Sequence, residues 1–261
     1  LEAQNFCDFR LLSTLGFTDD DVDALRREGY IGKAEGFRST DVLIPYEDGN
    51  KAFKILSITD QVNTPSLVAG RMPQTKTECL ADARAFDQSD IGTVVTLSSD
   101  NATDTLDMLN TRSFLIVGLA NTPLYISTDR GTTTIGDGAL KGFLFLHPDA
   151  FDLEVYTEVD VCLRRSAAIY SHEYESIMET YKPEITKRVY ELAWDQYDNY
   201  LDMLGLDREN AKYVDLEEPE TYVLTRRENA GFVSFQNDTA IVSAMANLLP
   251  VFFIMIALLV C

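Results

Sequence analysis

From Thr239 to Cys261 no side chain carries a charge, and from Leu248 the sequence reads LLPVFFIMIALLVC. That final run alone is shorter than the ~20 mostly apolar residues a bilayer-spanning helix needs. The weakly polar lead-in Ala240–Asn247 (AIVSAMAN) extends it to spanning length. A core helix at the end of a soluble domain is the competing reading. However, the run is apolar on every side, whereas a surface helix shows an apolar stripe and a polar face. Residues 239–261 are therefore read as the start of a membrane helix, and what precedes them as a domain standing on the membrane.

The rest of the chain is strongly acidic, with 42 Asp and Glu against 22 Lys and Arg and a net charge of -20. Nucleic acid is excluded as a partner, because its phosphates must be neutralised by Lys and Arg. Docking on anionic lipid head groups, which attract basic surfaces, is disfavoured by the same charge. The length allows one large core or two modest ones. Cys7, Cys79, Cys162 and Cys261 are scattered and form no CxxC pair, which fits neither a disulfide framework nor a zinc site. The opening LEAQNF has no Met, basic region or apolar region, so no signal peptide is read there. Placing the domain outside a cell then requires a membrane helix upstream.

Strands are expected first at Phe6–Leu15. Thr18 is placed to cap a short helix whose first turn carries Asp19, Asp20 and Asp21, where the helix dipole favours acids. Gly29 is expected to end it. Strands at Thr40–Pro45 and Lys51–Ile58 flank the turn residues 47–50. After Leu67–Pro73, strands are expected at Glu78–Asp82, Gly92–Leu97 and Ser113–Leu119, and Asn121–Ser127 extends that sheet. After the Gly- and Thr-rich loop Asp129–Gly142 come strands at Lys141–Leu146 and Val155–Leu163, the latter with period-two alternation. The pattern then changes. Ile177, Tyr181, Ile185, Val189 and Leu192 recur at helical spacing, predicting a helix over Ser171–Leu204 with Ser171 as N-cap and Gly205 as stop. Pro183 should break it, kink it or open its second half. Strands at Thr221–Thr225 and Phe232–Phe235 follow, with Asp238 as cap of the last helix.

The search for chemistry finds no catalytic, cofactor or metal constellation, and the chain is read as a non-enzyme. His147 and His172 stand alone, and His172-Glu173 lacks a second histidine one turn on. No GxSxG elbow is present. The loop Gly131–Gly138 (GTTTIGDG) has Asp137 where a phosphate-binding loop carries Lys. Asp19, Asp20, Asp21 and Asp23 lack the Gly and the distal Glu of a calcium loop. Glu217 and Glu218, beside Pro219, read as a solvated loop, and the Asn101 and Asn237 triplets match the glycosylation pattern only. The aromatic residues of the long helix read first as packing. Tyr190, Trp194 and Tyr197 are the candidate partner interface, since aromatics are enriched at interfaces.

Three stretches carry a family resemblance. NFCDFRLLSTLGFTDDDVDAL resembles the segment after the first membrane helix of bacterial FtsX-like ABC-transporter permeases. The middle, from GRMP and TECLAD through IGTVVTL and SFLIVGLANTPLYISTDRGTTTIGDG to GFLFL, resembles their MacB-like extracytoplasmic domain. AGFVSFQNDTAIVSAMANLLPVFFIMIALLVC resembles the return into the second membrane helix. The resemblance implies an α+β, two-lobed ectodomain, with a βαβ-type lobe built from both chain ends and a β-rich lobe inserted between them. On that reading residues 1–69 and 149–238 form the first lobe, 70–148 the second, and 239–261 the membrane segment. It also implies a cytoplasmic ATPase subunit or domain acting through the membrane part, a second permease copy or half, and a bacterial plasma-membrane location facing outward.

Overall fold

The computed structural model describes residues 5–46, 48–125, 130–165, 167, 171–211 and 217–226. The expected membrane helix over 239–261, the strand at 232–235 and the Asp238 cap lie outside them. In chain order the elements begin with β1 (Phe9–Phe17), α1 (Asp19–Arg27), β2 (Ile31–Phe37), β3 (Ser39–Tyr46), β4 (Gly49–Ser57) and β5 (Ser66–Gly70). Next come β6 (Glu78–Asp82), β7 (Val94–Thr96), α2 (Thr103–Asp107), β8 (Ser113–Asn121) and β9 (Leu140–Leu146). The chain closes with β10 (Tyr156–Leu163), α3 (His172–Leu204), α4 (Arg208–Ala211) and β11 (Thr221–Thr225).

Two sheets result. The smaller is antiparallel throughout, in the order β11-β1-β10-β2. Its β1-α1-β2 and β10-α3-β11 units each join two strands that run the same way with one strand between them. That is the split βαβ pairing of ferredoxin-like folds. The larger, seven-stranded sheet is mixed, in the order β3-β4-β9-β6-β8-β5, with β7 also on β8. It is inserted between β2 and β10, so the smaller sheet is built from both ends of the chain. β3, β4 and β5 all pair within the larger sheet, so the passage between the two sheets falls at Arg38, not at residue 70 as the sequence suggested. The backbone explains why, because Ser57 at the end of β4 donates to the Arg38 carbonyl at 2.8 Å and closes the β3–β4 hairpin beside β2.

Helix α1 forms where expected. Thr18 Oγ1 accepts from the Asp21 N–H at 3.3 Å, and the Asp21 carboxylate accepts from the Thr18 N–H at 2.8 Å. This reciprocal cap stabilises by roughly 1 kcal/mol. Helix α3 starts at the Ser171 cap and ends at Gly205, whose φ of 67° is the left-handed geometry glycine adopts freely. Pro183 lies inside an uninterrupted helix, so the expected break does not occur. Buried Ile177, Ile185, Val189 and Leu192 anchor both halves of α3 on Phe9, Leu11, Val159 and Val161 of the smaller sheet. Each such side chain contributes about 1.5–3 kcal/mol, enough to outweigh one missing hydrogen bond.

Strand β2 (IGKAEGF) has no counterpart in the sequence reading, because its two glycines weaken the strand signal. Gly36 is needed there: a Cβ at that position would lie 2.5 Å from the Tyr156 ring, which packs flat across the strand. Of Asn121–Ser127, expected to extend the sheet, Asn121 ends β8 and Thr122–Tyr125 form no strand, while residues 126 and 127 lie outside the described ones.

Candidate functional site

The three residues singled out from the sequence part company on α3. Tyr190 is 52% exposed. Trp194 is half-buried, 5.7 Å from the Tyr190 ring and 5.5 Å from the Tyr197 ring, edge-on to the latter. The Arg208 guanidinium covers its open face at 4.3 Å and is fixed by Asp198 through bonds of 2.7 and 2.5 Å. Tyr197 is only 2% exposed, packed with Leu201 and Ala211 and touched by Leu15 and Leu206. It is a core residue and has no face to offer a partner. Tyr190 instead lines an open groove of about 660 Å³ between α3 and β11, with Lys182, Pro183, Thr186 and Thr221.

A second constellation escaped the sequence reading. The face of the smaller sheet opposite α1 and α3 is polar, yet it is covered by the larger sheet and the 58–65 segment. Glu158 on β10 takes the Arg10 guanidinium and a 2.5 Å bond from Ser39 Oγ. Burial works to raise its pKa, but Arg10 and then Lys54 outweigh this and hold it below the usual carboxylate range. Asp160, fully buried, is opposite Arg10 on β1 and Glu35 on β2. Asn63 Nδ2 bonds one of its oxygens, and the Cys7 thiol lies within hydrogen-bonding reach of the carboxyl. Burial, reinforced by Glu158 and opposed by Arg10 and Asn63, pushes its pKa to about 7. Asn63 sits at φ 52°, a left-handed position Asn tolerates, and accepts from the Cys7 N–H at 2.9 Å.

On the larger-sheet side, Lys54 pairs with Asp41 at 3.0 Å, and Thr133 donates to Asp41 at 2.6 Å. Arg130 grips Asp82 through two bonds of 2.6 Å, donates to the Tyr125 carbonyl at 3.0 Å and lies over the Phe143 ring at 5.4 Å. The apolar part of this layer is small: Phe37, Leu56, Leu80, Ala120, Phe143 and Phe145. The sequence holds one signal, the acids Glu158 and Asp160 alternating with Val159 and Val161, but alternation of that kind points first to a solvated face. In the fold they meet an equally polar layer. The seam fixes the two sheets to each other in a defined register. Among the described residues no three His, Cys, Asp or Glu side chains gather to hold a metal ion, and no helix is long and apolar enough to cross a membrane.

The third feature is where the chain enters and leaves. β1 and β11 are neighbours, with Phe9 opposite Thr225. Arg226, next along, donates to the Cys7 carbonyl at 2.7 Å and the Phe6 carbonyl at 2.5 Å, and pairs with Asp8 at 3.1 Å. Its guanidinium also covers the Phe6 ring at 4.9 Å. The two ends of the domain are thus clamped side by side.

The sequence matches no known family profile and no curated protein. Among solved structures it is similar to the extracellular domain of the noncanonic ABC-type transporter YknZ from Gram-positive bacteria: 10% identity, 60% of this chain and 84% of that one, TM-score 0.40. It is also similar to the periplasmic region of MacB from Actinobacillus actinomycetemcomitans, at 13% identity over 86% of this chain and 91% of that one, TM-score 0.39. A domain of a permease protein from Porphyromonas gingivalis gives 13% identity, 84% and 88% coverage and a TM-score of 0.35.

Proposed function

We propose that this chain is the extracytoplasmic domain of a bacterial FtsX-like ABC-transporter permease and performs no catalysis of its own. One observation carries the reading: Phe9 and Thr225 are paired neighbours on adjacent antiparallel strands, so the flanking segments leave together. A domain inserted between two consecutive membrane helices needs that geometry. The uncharged stretch from Thr239 to Cys261 and the family resemblance of the sequence support it. ATP hydrolysis by a cytoplasmic subunit or domain would move the membrane helices and, through them, this domain. That motion serves export, handling of a lipid, peptide or lipoprotein, or signalling, in a permease that works with a second copy or half.

The test uses the full-length protein in cells. Met203 is 77% exposed at the outer end of α3, and Met203→Cys should react with a membrane-impermeant maleimide without lysis. Labelling only after lysis refutes the placement. Because Phe9 and Thr225 are opposed at strand spacing, about 5 Å between Cα atoms, a short Gly-Ser linker can replace residues 10–224. The linked protein should still support ATP hydrolysis by its complex but lose transport or signalling. Unimpaired transport would refute the coupling role.

A second reading, a module recruiting a cell-wall hydrolase or sensor partner, is favoured by the exposed apolar end of α3, where Tyr200, Met203 and Leu204 stand out from the surface. Met203→Ser should then weaken binding of such a partner without changing Tm. Unchanged binding counts against this patch.

A further inference from the structure

Charge is unevenly distributed over this molecule. About one residue in six is acidic, yet from Gln61 to Thr77 there is no Asp or Glu. The segment is at the surface. β5 is the outermost strand of the larger sheet, and its Leu67 and Val68 are 42% and 51% exposed, with Met72 also exposed just beyond. The only ionisable side chains of the segment are Arg71, which also reaches Glu78, and Lys76, both exposed. The result is an apolar edge with no acid along its own length, followed by Arg71, which is bonded to Glu78, and by Lys76, on a protein that is otherwise strongly negative.

Its position is defined by the chain ends. Asn63 donates its N–H to the Asn5 carbonyl at 3.0 Å and accepts from Cys7. Asn63 to Leu67 is four residues, which span at most about 14 Å. The strip therefore begins within about 14 Å of Asn63, which is bonded to Asn5 where the chain enters the domain.

Two occupants are disfavoured by the edge itself. The pairing of β5 with β8 shifts register between Leu67 and Ala69. A bulge of that kind twists an edge out of line for a further strand, which argues against an added peptide or a second copy. An anionic lipid surface suits the strip better. Carboxylates are repelled by such a surface and Lys and Arg attracted, while Leu, Val and Met sink into the head-group boundary.

We propose that the strip Leu67–Lys76 rests on the head-group region of an anionic bilayer, beside the chain ends. This rests on the membrane-standing reading above. The test reconstitutes the full-length protein, with Cys162→Ser and Cys261→Ser, into liposomes of mixed anionic and zwitterionic lipid with brominated acyl chains. Bimane is attached in turn at Val68→Cys and, as a distant control, at Met203→Cys. The expected result is loss of bimane fluorescence at position 68 and none at 203, with the loss reduced by Lys76→Gln or by omitting anionic lipid. An unquenched label at both positions overturns the strip and leaves the ectodomain reading intact. Quenching at both overturns the strip as a specific contact and contradicts an outward-standing domain. A protein that does not float with the liposomes refutes both.

Discussion

Asparagine in place of Asp160 removes one ionisation from the seam and little else. The side chain is fully buried, and the groups around it are Arg10 on β1, Glu35 on β2, Glu158 on its own strand, and Cys7 and Asn63 across the interlayer space. Asp160 lines a small cavity together with Thr59, Phe37, Leu56 and Phe145. Burial first, then Glu158, raises its pKa from 3.8 to about 7. A raised carboxyl pKa means that the folded protein holds a proton the unfolded chain has released. The stabilisation is complete below pH 3.8 and is lost as pH rises through 7. At 1.36 kcal/mol per unit, the loss between those limits approaches about 4 kcal/mol as a ceiling. The substituted amide would keep the hydrogen bond with Asn63 and has no charge to develop. Asp160→Asn should therefore match the wild type within ~1 kcal/mol at pH 4 and exceed it by roughly 2–4 kcal/mol at pH 8. Urea unfolding followed by the single tryptophan, Trp194, across this range gives both curves. Carboxylates away from the seam titrate equally in the two proteins, so the difference between curves reports Asp160 together with Glu158, to which it is coupled. Parallel curves, or a variant less stable at pH 8, would refute the reasoning.

Three further changes probe the same architecture. Arg130→Ala leaves Asp82 buried without its counter-ion and should cost about 3–5 kcal/mol, whereas Arg130→Met combined with Asp82→Leu should recover most of it; denaturation midpoints decide. Gly36→Ala places a methyl group 2.5 Å from the Tyr156 ring and should destabilise by about 1–3 kcal/mol. Adding Tyr156→Ala should remove most of that penalty in a double-mutant cycle, and simple additivity would show that the clash is not the cause. Trp194→Ala should lower stability by about 3 kcal/mol, while Tyr190→Ala should change it by no more than ~0.5 kcal/mol. Equal losses would mean that Tyr190 is packed like its neighbours.

The sequence is most legible where local physics and tertiary packing agree. Thr18 and Asp21 announce α1, Ser171 and Gly205 bound α3, and the runs at Glu78–Asp82 and Thr221–Thr225 become β6 and β11 with those limits. Legibility fails where a distant element decides the outcome. Gly32 and Gly36 hide β2 because a strand with two glycines is weak until Tyr156, 120 positions on, covers it. Pro183 implies an interruption that the apolar anchors on both sides of it override. Alternation in β10 identifies a strand correctly, yet it points the polar side to water. Period two identifies which side chains share a face and cannot say what covers it. Tyr197 fails for the same reason: helical spacing places it near Trp194, but α4 and Leu206, supplied later in the chain, turn that side of α3 into core.

How a displacement at the chain ends would reach the larger sheet follows from the topology. β1 and β11 lie antiparallel with their free ends together, so separating the flanking segments sideways loads the Phe9–Thr225 pair before any other. Opening would proceed pair by pair, and Arg226 stands at its mouth, bonded to the Phe6 and Cys7 carbonyls. If the clamp holds, β1 moves with β10, to which Phe9, Arg10, Leu11 and Leu12 are paired on the other side. From those two strands Arg10, Glu158 and Asp160 project into the seam. The peptide links to the larger sheet, after Phe37 and before Tyr156, lie at the opposite end of the strands from the clamp. The side-chain seam is the shorter route between the ends of the chain and the second layer. An apolar interlayer would slide with little change in energy, because burial is not directional. Across this interlayer Glu158 takes its bond from Ser39 of β3 and Asp160 takes its bond from Asn63 of the 58–65 segment, and slip would leave each buried carboxylate without that donor. A domain that must follow the motion of its own ends, and not merely survive it, is better served by such a seam than by a larger apolar core.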